Sequence, residues 1–175
     1  AGDFISAQDL LNEVNKDSIR FMMLNRSNDM ELDFDFEKVK EKTKDNPVYY
    51  VQYAYARINS IIRSLNKTLN EKIVINSDSF SPNEYEEKII RKIFEWPKII
   101  ESAVSKLEPH KIPFYLYDLS TIFHSYWSKG NEDNKYRFIE NGKIKRKETL
   151  VFIYLTAIVI KNGMSILGVS LPEKM

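Results

Sequence analysis

Cysteine is absent from this 175-residue sequence, and histidine occurs only at His110 and His124. Without thiols the chain cannot form a disulfide or a thiolate metal site, and two histidines are too few to suggest metal catalysis. The sequence does not open with a basic segment and an apolar stretch, and its longest apolar run, Leu150–Ile160, is interrupted by Thr156. A membrane-spanning helix needs about 20 apolar residues. We therefore expect a cytoplasmic protein with no metal site, no cofactor of its own and no membrane contact.

Neither sign of charge is in large excess, because 26 Lys and Arg stand against 25 Asp and Glu, but the distribution along the chain is uneven. Residues 1–45 contain 7 basic and 11 acidic residues, whereas residues 46–175 contain 19 and 14. A basic surface can bind phosphate, although a mild excess of this kind also occurs on surfaces that contact only solvent. Charge alone leaves both interpretations open.

Composition and spacing indicate a helical protein. The apolar fraction of 43%, the charged fraction of 29% and the aromatic fraction of 13% are typical of a soluble, folded chain. A length of 175 residues allows one domain, or one domain with an appendage. Glycine is scarce, with 5 residues, and apolar residues recur at three- and four-residue spacing. The sequence thus predicts an all-α fold, a helical bundle.

Start and stop signals place the predicted helices. Asn46 and Pro47 begin a long helix that should reach about Leu69, since asparagine caps free backbone N–H groups and proline fits the first helical position. Ser81 and Glu84 form a predicted capping box. The other predicted features are a capped helix from Ser6, a helix after Asp17, corners at Pro97, Pro109 and Pro113, a helix from Pro113 to Lys129 ended by Gly130, a polar loop over 131–147, and a last helix from Lys147 to Lys161 ended by Asn162 and Gly163.

The segment Asn46–Arg57, NPVYYVQYAYAR, places tyrosines at helical spacing. On physical grounds alone, such tyrosines bury their rings in a core and keep their hydroxyl groups near water. The string is also similar to the N-P-x-Y-Y-V-Q-Y-A-H-A-R block that opens the DALR-type anticodon-binding domain of bacterial arginyl-tRNA synthetases. Tyr55 departs from that block, because the family usually has histidine there. A phosphate contact by a protonated histidine would therefore not transfer to this chain.

Further segments resemble landmarks of the same family, in the same order along the chain. They are Asp17–Leu24 with Leu32–Asp35, EWPKII at Glu95–Ile100, LEPHKIPFYLYDLSTIFHSYW at Leu107–Trp127 and NGMSILGVSLPEKM at Asn162–Met175. Family members end in a segment of the last kind, so we expect Met175 to be the natural C-terminus. The resemblance covers nearly the whole chain.

The resemblance implies a helical bundle of the class I synthetase anticodon-binding type at 46–175. Residues 1–45 would then form the helical connection that follows the catalytic signature loop. The full-length protein would be an ATP-dependent, AMP-forming arginine–tRNA ligase that also uses Mg²⁺. The chain contains neither an H-x-G-H string nor a K-M-S-K-like loop, so we predict that it does not activate arginine alone.

The implied partners are tRNA-Arg and the catalytic domain of the same polypeptide, and we expect a monomer. The N-terminal part carries apolar residues for which the catalytic domain would normally supply a surface, so this part is predicted to be poorly ordered in isolation. These residues are Leu10, Leu11, Phe21, Met22 and Leu24.

Unpaired anticodon-loop bases need aromatic surfaces on which to stack. Phe123 and Trp127 lie four residues apart on one helix face, with His124 and Tyr126 beside them. The resemblance implies that this aromatic pair and Met175 hold the anticodon loop, and the two neighbours are further candidates for tRNA binding. The alternative is that these rings are simply core, above all Phe123.

Backbone phosphates need cations, which are concentrated in one predicted loop, and a solvated loop is the alternative interpretation. The loop candidates are Lys135, Arg137, Lys143, Lys145, Arg146 and Lys147, and Arg57 and Arg63 on the long helix are secondary candidates.

Two rival functions remain. The first is a free-standing helical module that binds a protein through its aromatic helix and apolar tail, without any role for tRNA. The second is a related class I synthetase with the same helical domain. The combination of NPVYYVQY with a terminal LGVSLPEKM favours the arginine enzyme.

Overall fold

The computed structural model describes residues 11, 13–27, 36–65 and 80–175. Helices dominate this part of the chain, which confirms the predicted helical bundle, and a short antiparallel hairpin is the only sheet within it. The predicted helix from Ser6 lies almost wholly outside the described residues. The elements are α1 (Lys16–Leu24), α2 (Phe36–Lys40), α3 (Pro47–Ser64), α4 (Glu84–Ser105), α5 (Lys111–Glu132), β1 (Ile139–Glu140), β2 (Lys143–Ile144) and α6 (Lys147–Leu167).

The start of α3 agrees with its sequence signal. The Asn46 side chain accepts a hydrogen bond from the Tyr49 N–H at 3.3 Å, and Pro47 occupies the first helical position. The same side chain donates to the carbonyl oxygens of Val39 at 2.7 Å and Glu41 at 2.9 Å, and it is buried. Asn46 therefore begins α3 and also holds the end of α2 against it. The predicted continuation to Leu69 passes beyond the described end of α3 into residues outside the described part.

The start of α4 differs from the prediction. The cap is Asn83 instead of Ser81: its side chain accepts from the N–H groups of Tyr85 and Glu86, and Glu86 accepts from the Asn83 N–H at 2.9 Å. Both sites satisfy the capping-box pattern, and the second one is used. Pro97 does not form a corner either, because α4 continues through it with the proline on the exposed side.

Two glycines predicted to end helices lie inside them. A Cβ atom at Gly163 would stand 2.7 Å from a methyl carbon of Leu116, so glycine here permits the close packing of α6 on α5. A Cβ atom at Gly130 would stand 3.2 Å from the Arg137 Cα, because the chain after α5 folds back over it. The residue that ends α6 is Gly168, which has a φ of 66°.

The main core lies between α3, α4, α5 and α6, and α1 contributes to it. Phe21 of α1 has no exposed surface and belongs to this core. Phe21 therefore finds its apolar surface in the bundle itself, contrary to the expectation that another domain must supply it. Leu11 is half exposed, and Leu10 lies outside the described residues. A second, small cluster joins α1 to α2 through Val14, Ile19 and Val39.

By length and composition α6 is able to cross a membrane, and it is the one such helix among the described residues. It is longer than the sequence predicted. Half of its most apolar 18-residue stretch is buried inside the bundle, and Ile153, Ile160 and Met164 are fully enclosed. A helix at the centre of a bundle is apolar for this reason.

One buried carboxylate joins three helices. Glu86, in the first turn of α4, has no exposed surface. It accepts hydrogen bonds from the hydroxyl groups of Tyr126 on α5, at 3.2 Å, and Thr149 on α6. Its other oxygen lies 3.0 Å from the guanidinium of Arg146, just before α6. Burial of a charge is tolerated only when it is paired and hydrogen-bonded in this way.

We expect Glu86→Ala to lower the free energy of unfolding by about 3 kcal/mol, because it leaves two buried hydroxyl groups and one guanidinium without their acceptor. Urea denaturation measures the change. Glu87→Ala is the matched control: Glu87 is half exposed and, within the described part of the chain, pairs only with Arg91 on the same helix, so it should cost about 0.5 kcal/mol or less. Equal effects of the two substitutions would contradict the assigned network.

Candidate functional site

An aromatic row runs along one face of α3. Tyr49 and Tyr53 stack with ring centroids 5.8 Å apart and planes within 12°. One turn later, the guanidinium of Arg57 lies over the Tyr53 ring, 4.4 Å from its centroid, and donates to the Tyr53 hydroxyl. Residues four apart share a helix face. The row therefore presents two rings and one cation in sequence.

Trp127 of α5 extends this row across to the neighbouring helix. Its ring centroid lies 5.2 Å from the guanidinium of Arg57, which is thus held between Trp127 and Tyr53. Trp127 also packs in an edge-to-face arrangement with buried Phe138, which lies just before β1, and their ring centroids are 5.8 Å apart. The hairpin thereby supports the tryptophan ring. Trp127 itself stays partly exposed.

The chain after α6 runs back along α3 as a tail, which we define as residues 168–175. Gln52 donates to the Ser170 carbonyl at 2.9 Å, and Arg63 donates to the Glu173 carbonyl at 3.0 Å. These contacts bring Lys174 and Met175 beside α3. Met175 lines the resulting cavity and is 53% exposed.

A cavity of about 570 Å³ lies between α3, α5 and the tail. This volume falls within the usual range for small-ligand sites. Four of the residues predicted from sequence meet here, namely Arg57, Arg63, Trp127 and Met175. The full lining is Tyr53, Ala56, Arg57, Ser60, Ile61, Arg63, Trp127, Lys174 and Met175. Ring faces and a thioether beside two arginines and a lysine suit a flat, unsaturated ring that carries or adjoins negative charge.

Three other predicted residues are not available to a ligand. Phe123 and Tyr126 are 0% and 1% exposed, and His124 is 6% exposed. A buried ring cannot stack on a base without opening the core, so direct stacking is corrected to core packing for these three. Phe123 belongs to the main core, and Tyr126 donates to Glu86.

His124 nevertheless supports the row from behind. Its ring lies 4.4 Å from that of Tyr50 and stacks on Tyr53 at 5.4 Å. Its Nε2 lies 3.3 Å from the Tyr50 carbonyl oxygen, which fits a protonated Nε2 that donates. Burial, with a smaller contribution from the Arg57 charge, lowers the pKa of His124 to about 4. A neutral histidine here adds packing and no charge.

The basic loop is mostly engaged in contacts within the chain, and part of it forms the β-hairpin. Arg146 pairs with buried Glu86 and donates to the Ser81 carbonyl at 2.9 Å. Lys145 pairs with Glu140 at 3.0 Å and thereby lowers the pKa of that carboxyl. Lys143, on β2, is exposed. Lys143 is thus more accessible to phosphate than Arg146, whose first role is structural.

Among the described residues, no three acidic, histidine or cysteine side chains come together as a metal site would require.

The chain matches the family model "DALR anticodon binding domain" over residues 51–175. It belongs to the DALR anticodon-binding domain family. The sequence resemblance is thereby confirmed.

Curated relatives agree with the family match. The chain is 55% identical over 174 residues to the protein named arginine–tRNA ligase of Pelagibacter ubique. This match covers 99% of the chain and 30% of that protein. It is 41% identical to the protein of the same name from Rhizobium etli, covering 100% of this chain and 31% of that protein. The chain thus spans about a third of the length of these relatives.

Solved structures share the fold. A structure from Campylobacter jejuni, described as an arginyl-tRNA synthetase, is 28% identical with a TM-score of 0.82, and the match covers 100% of the DALR chain and 37% of that one. The Thermus thermophilus arginyl-tRNA synthetase, 23% identical with a TM-score of 0.69, covers 99% of the chain and 28% of its own length. At this lower identity the likeness concerns the fold alone.

Sequence reasoning missed part of the cavity of the DALR domain. Ser60 and Lys174 were not singled out, and Tyr53 was interpreted as a core tyrosine. The four-residue spacing of Tyr49, Tyr53 and Arg57 was a signal for the row. No signal pointed to Lys174, whose position depends on how the tail lies on α3.

The lowered pKa of His124 makes stability depend on pH. Because the folded state holds the neutral ring while an unfolded chain protonates near pH 6.5, stability is full above that value. It should fall by about 3 kcal/mol as the pH drops from 6.5 toward 4. Urea denaturation across this range measures the slope, and His124→Gln should remove most of it. Ring-proton NMR that shows His124 titrating near pH 6.5 in the folded chain would contradict the assignment.

Proposed function

We propose that this chain is the tRNA-recognising part of an arginine–tRNA ligase and that its cavity receives an unpaired base of the anticodon loop of tRNA-Arg. The observation that carries the proposal is the convergence of Arg57, Trp127 and Met175 on one cavity in a chain of the DALR family. Bases in single-stranded loops are recognised by stacking on aromatic and guanidinium planes, together with polar contacts to their edges. Ser60 and the two arginines can supply such contacts.

The proposal assigns different tasks to different surfaces. Trp127 supplies ring surface, with Arg57 held over part of it, while Arg63 and Lys174 add positive charge to the cavity lining. Lys143 and Lys145 contact backbone phosphates without reading sequence. Residues 46–175 form the anticodon-binding bundle, and residues 1–45 form the connection to the catalytic part.

Ligation belongs to the whole protein in this proposal. Attachment of arginine to tRNA-Arg, with ATP and Mg²⁺, requires the larger share of the relatives' length that this chain does not span. The chain alone binds tRNA-Arg, as a cytoplasmic monomer, and does not activate arginine.

We expect Trp127→Ala to weaken binding of tRNA-Arg about five- to 150-fold, since stacking contributes about 1 to 3 kcal/mol per base. Filter binding against tRNA-Arg and an unrelated tRNA measures the loss. Trp127→Phe is the matched control, because it keeps a ring and should lose less. Unchanged affinity of a normally melting Trp127→Ala chain would refute the assignment. Absence of any preference for tRNA-Arg in the unmodified chain would favour a protein-interaction module instead.

Replacing Lys143 and Lys145 by glutamine should flatten the salt dependence of tRNA binding. Each lost phosphate contact reduces the slope of log affinity against log salt concentration by about 0.7 to 0.9. Lys106→Gln is the control, since this exposed lysine lies in the turn between α4 and α5, away from the hairpin. An unchanged slope in the double variant would indicate that the loop contacts only solvent.

A further inference from the structure

The tail is held from two sides, and α1 provides one of them. On the α3 side, Gln52 and Arg63 bind its carbonyl groups. On the other side, α1 supplies Asp17 and Arg20, which lie one helical turn apart and both face the point where the tail begins. Neither α1 residue lines the cavity. Their contacts with the tail are therefore separate from any direct contact with a ligand.

Arg20 covers the turn that sends the tail back along α3. Its Nε donates to the Leu167 carbonyl oxygen at the end of α6. A Cβ atom at Gly168 would stand 2.8 Å from that Nε, so the guanidinium group packs directly on the glycine. A cation near the last carbonyl groups of a helix also stabilises its C-terminus. Arg20 thus fixes both the end of α6 and the first residue of the tail.

Asp17 fixes the next part of the tail. The Ser170 hydroxyl donates to the Asp17 carboxylate, while the Ser170 carbonyl accepts from Gln52 on the opposite side. Val169 between these points is 5% exposed and belongs to the main core. Beyond Leu171 and Pro172, which are partly buried, the last three residues are exposed and carry few described contacts. The position of Met175 therefore depends on how firmly residues 168–170 are held, together with the contact between Arg63 and the Glu173 carbonyl.

We propose that Asp17 and Arg20 are positioning residues for the cavity: from α1 they hold the start of the tail and so keep Lys174 and Met175 opposite Trp127. This inference rests on the proposed function only where it concerns tRNA. The structural part of the inference does not involve tRNA. Loss of the contact made by Asp17, or of the contact made by Arg20, releases the tail although every residue that lines the cavity is still present. Helix α1 thereby controls the shape of a site it does not touch.

A proximity measurement tests the position of the tail without tRNA. Because the chain has no cysteine, a single Lys174→Cys substitution can carry a bimane label, whose fluorescence is quenched by tryptophan at close range. Trp127→Phe in the labelled chain sets the level without this quenching. Asp17→Ala, Arg20→Ala and Ser170→Ala are then each introduced into the labelled chain with Trp127 intact. Melting curves show that each variant is folded.

The expected result is low emission in the labelled parent and emission near the Trp127→Phe level in the three variants. Asp17→Asn should stay low, because its amide oxygen still accepts from Ser170, and Lys16→Ala on the same turn is the surface control. Emission unchanged in Asp17→Ala and Arg20→Ala overturns the proposal. So does a parent that is no more quenched than Trp127→Phe. If Arg20→Ala does not fold, the exposed Ser170→Ala variant decides.

Binding of tRNA-Arg to the unlabelled variants separates this inference from the proposed function. Asp17→Ala should weaken binding about two- to tenfold, the usual effect of one lost hydrogen bond. Added to a deletion of residues 173–175, it should weaken binding no further. Released bimane together with unchanged tRNA binding would refute the tRNA function of the cavity and leave the role of α1 intact. If Asp17→Ala weakens tRNA binding as much in the chain that lacks residues 173–175 as in the full chain, the role of α1 in positioning the tail for tRNA is overturned.

Discussion

The buried carboxylate of Glu86 fixes the frame on which the candidate site depends. It closes the capping box of α4 and accepts from Tyr126 of α5 and Thr149 of α6, with Arg146 as its counter-charge. Tyr126 directly precedes Trp127 in α5. The network that holds the Tyr126 ring in the core therefore also fixes the part of α5 that carries Trp127. Because an unpaired buried charge is strongly unfavourable, the native arrangement depends on each helix keeping its contact with Glu86.

A single face of α5 shows why one aromatic segment has two roles. Phe123 and Trp127 share a helix face, but Phe123 lies within the bundle and Trp127 lies near its end, where Arg57 and the hairpin enclose it. The helical period determines the direction in which a side chain points around the helix axis. It does not determine whether that position along the helix is buried. The burial of Phe123 and the partial exposure of Trp127 therefore follow from packing with other elements.

Local chemistry made much of the fold predictable. The Asn46–Pro47 start of α3 needs only neighbouring backbone groups, and the helical class follows from apolar spacing. The errors occurred where a distant partner decides. Gly163 continues α6 because Leu116 requires the space, and Pro97 is tolerated within α4, which packs on α5 and α6. For the site, the motif resemblance led to Trp127 and Met175, and the search for cations that could bind phosphate led to Arg57. It did not reveal that Tyr53 joins them, because whether a tyrosine lines a cavity depends on where the tail runs.

The cavity combines a fixed wall with an adaptable one. Arg57 is held by two rings and by the Tyr53 hydroxyl before any ligand arrives, so binding requires little further loss of its side-chain freedom. His124 behind the row is neutral, so the charge at this wall comes from guanidinium groups, which also stack. Met175 on the opposite wall is flexible and exposed, which lets it adjust to a ring placed against Trp127. If the cavity receives a base as proposed, selectivity would arise from the fixed arginine wall and tightness of fit from the tail.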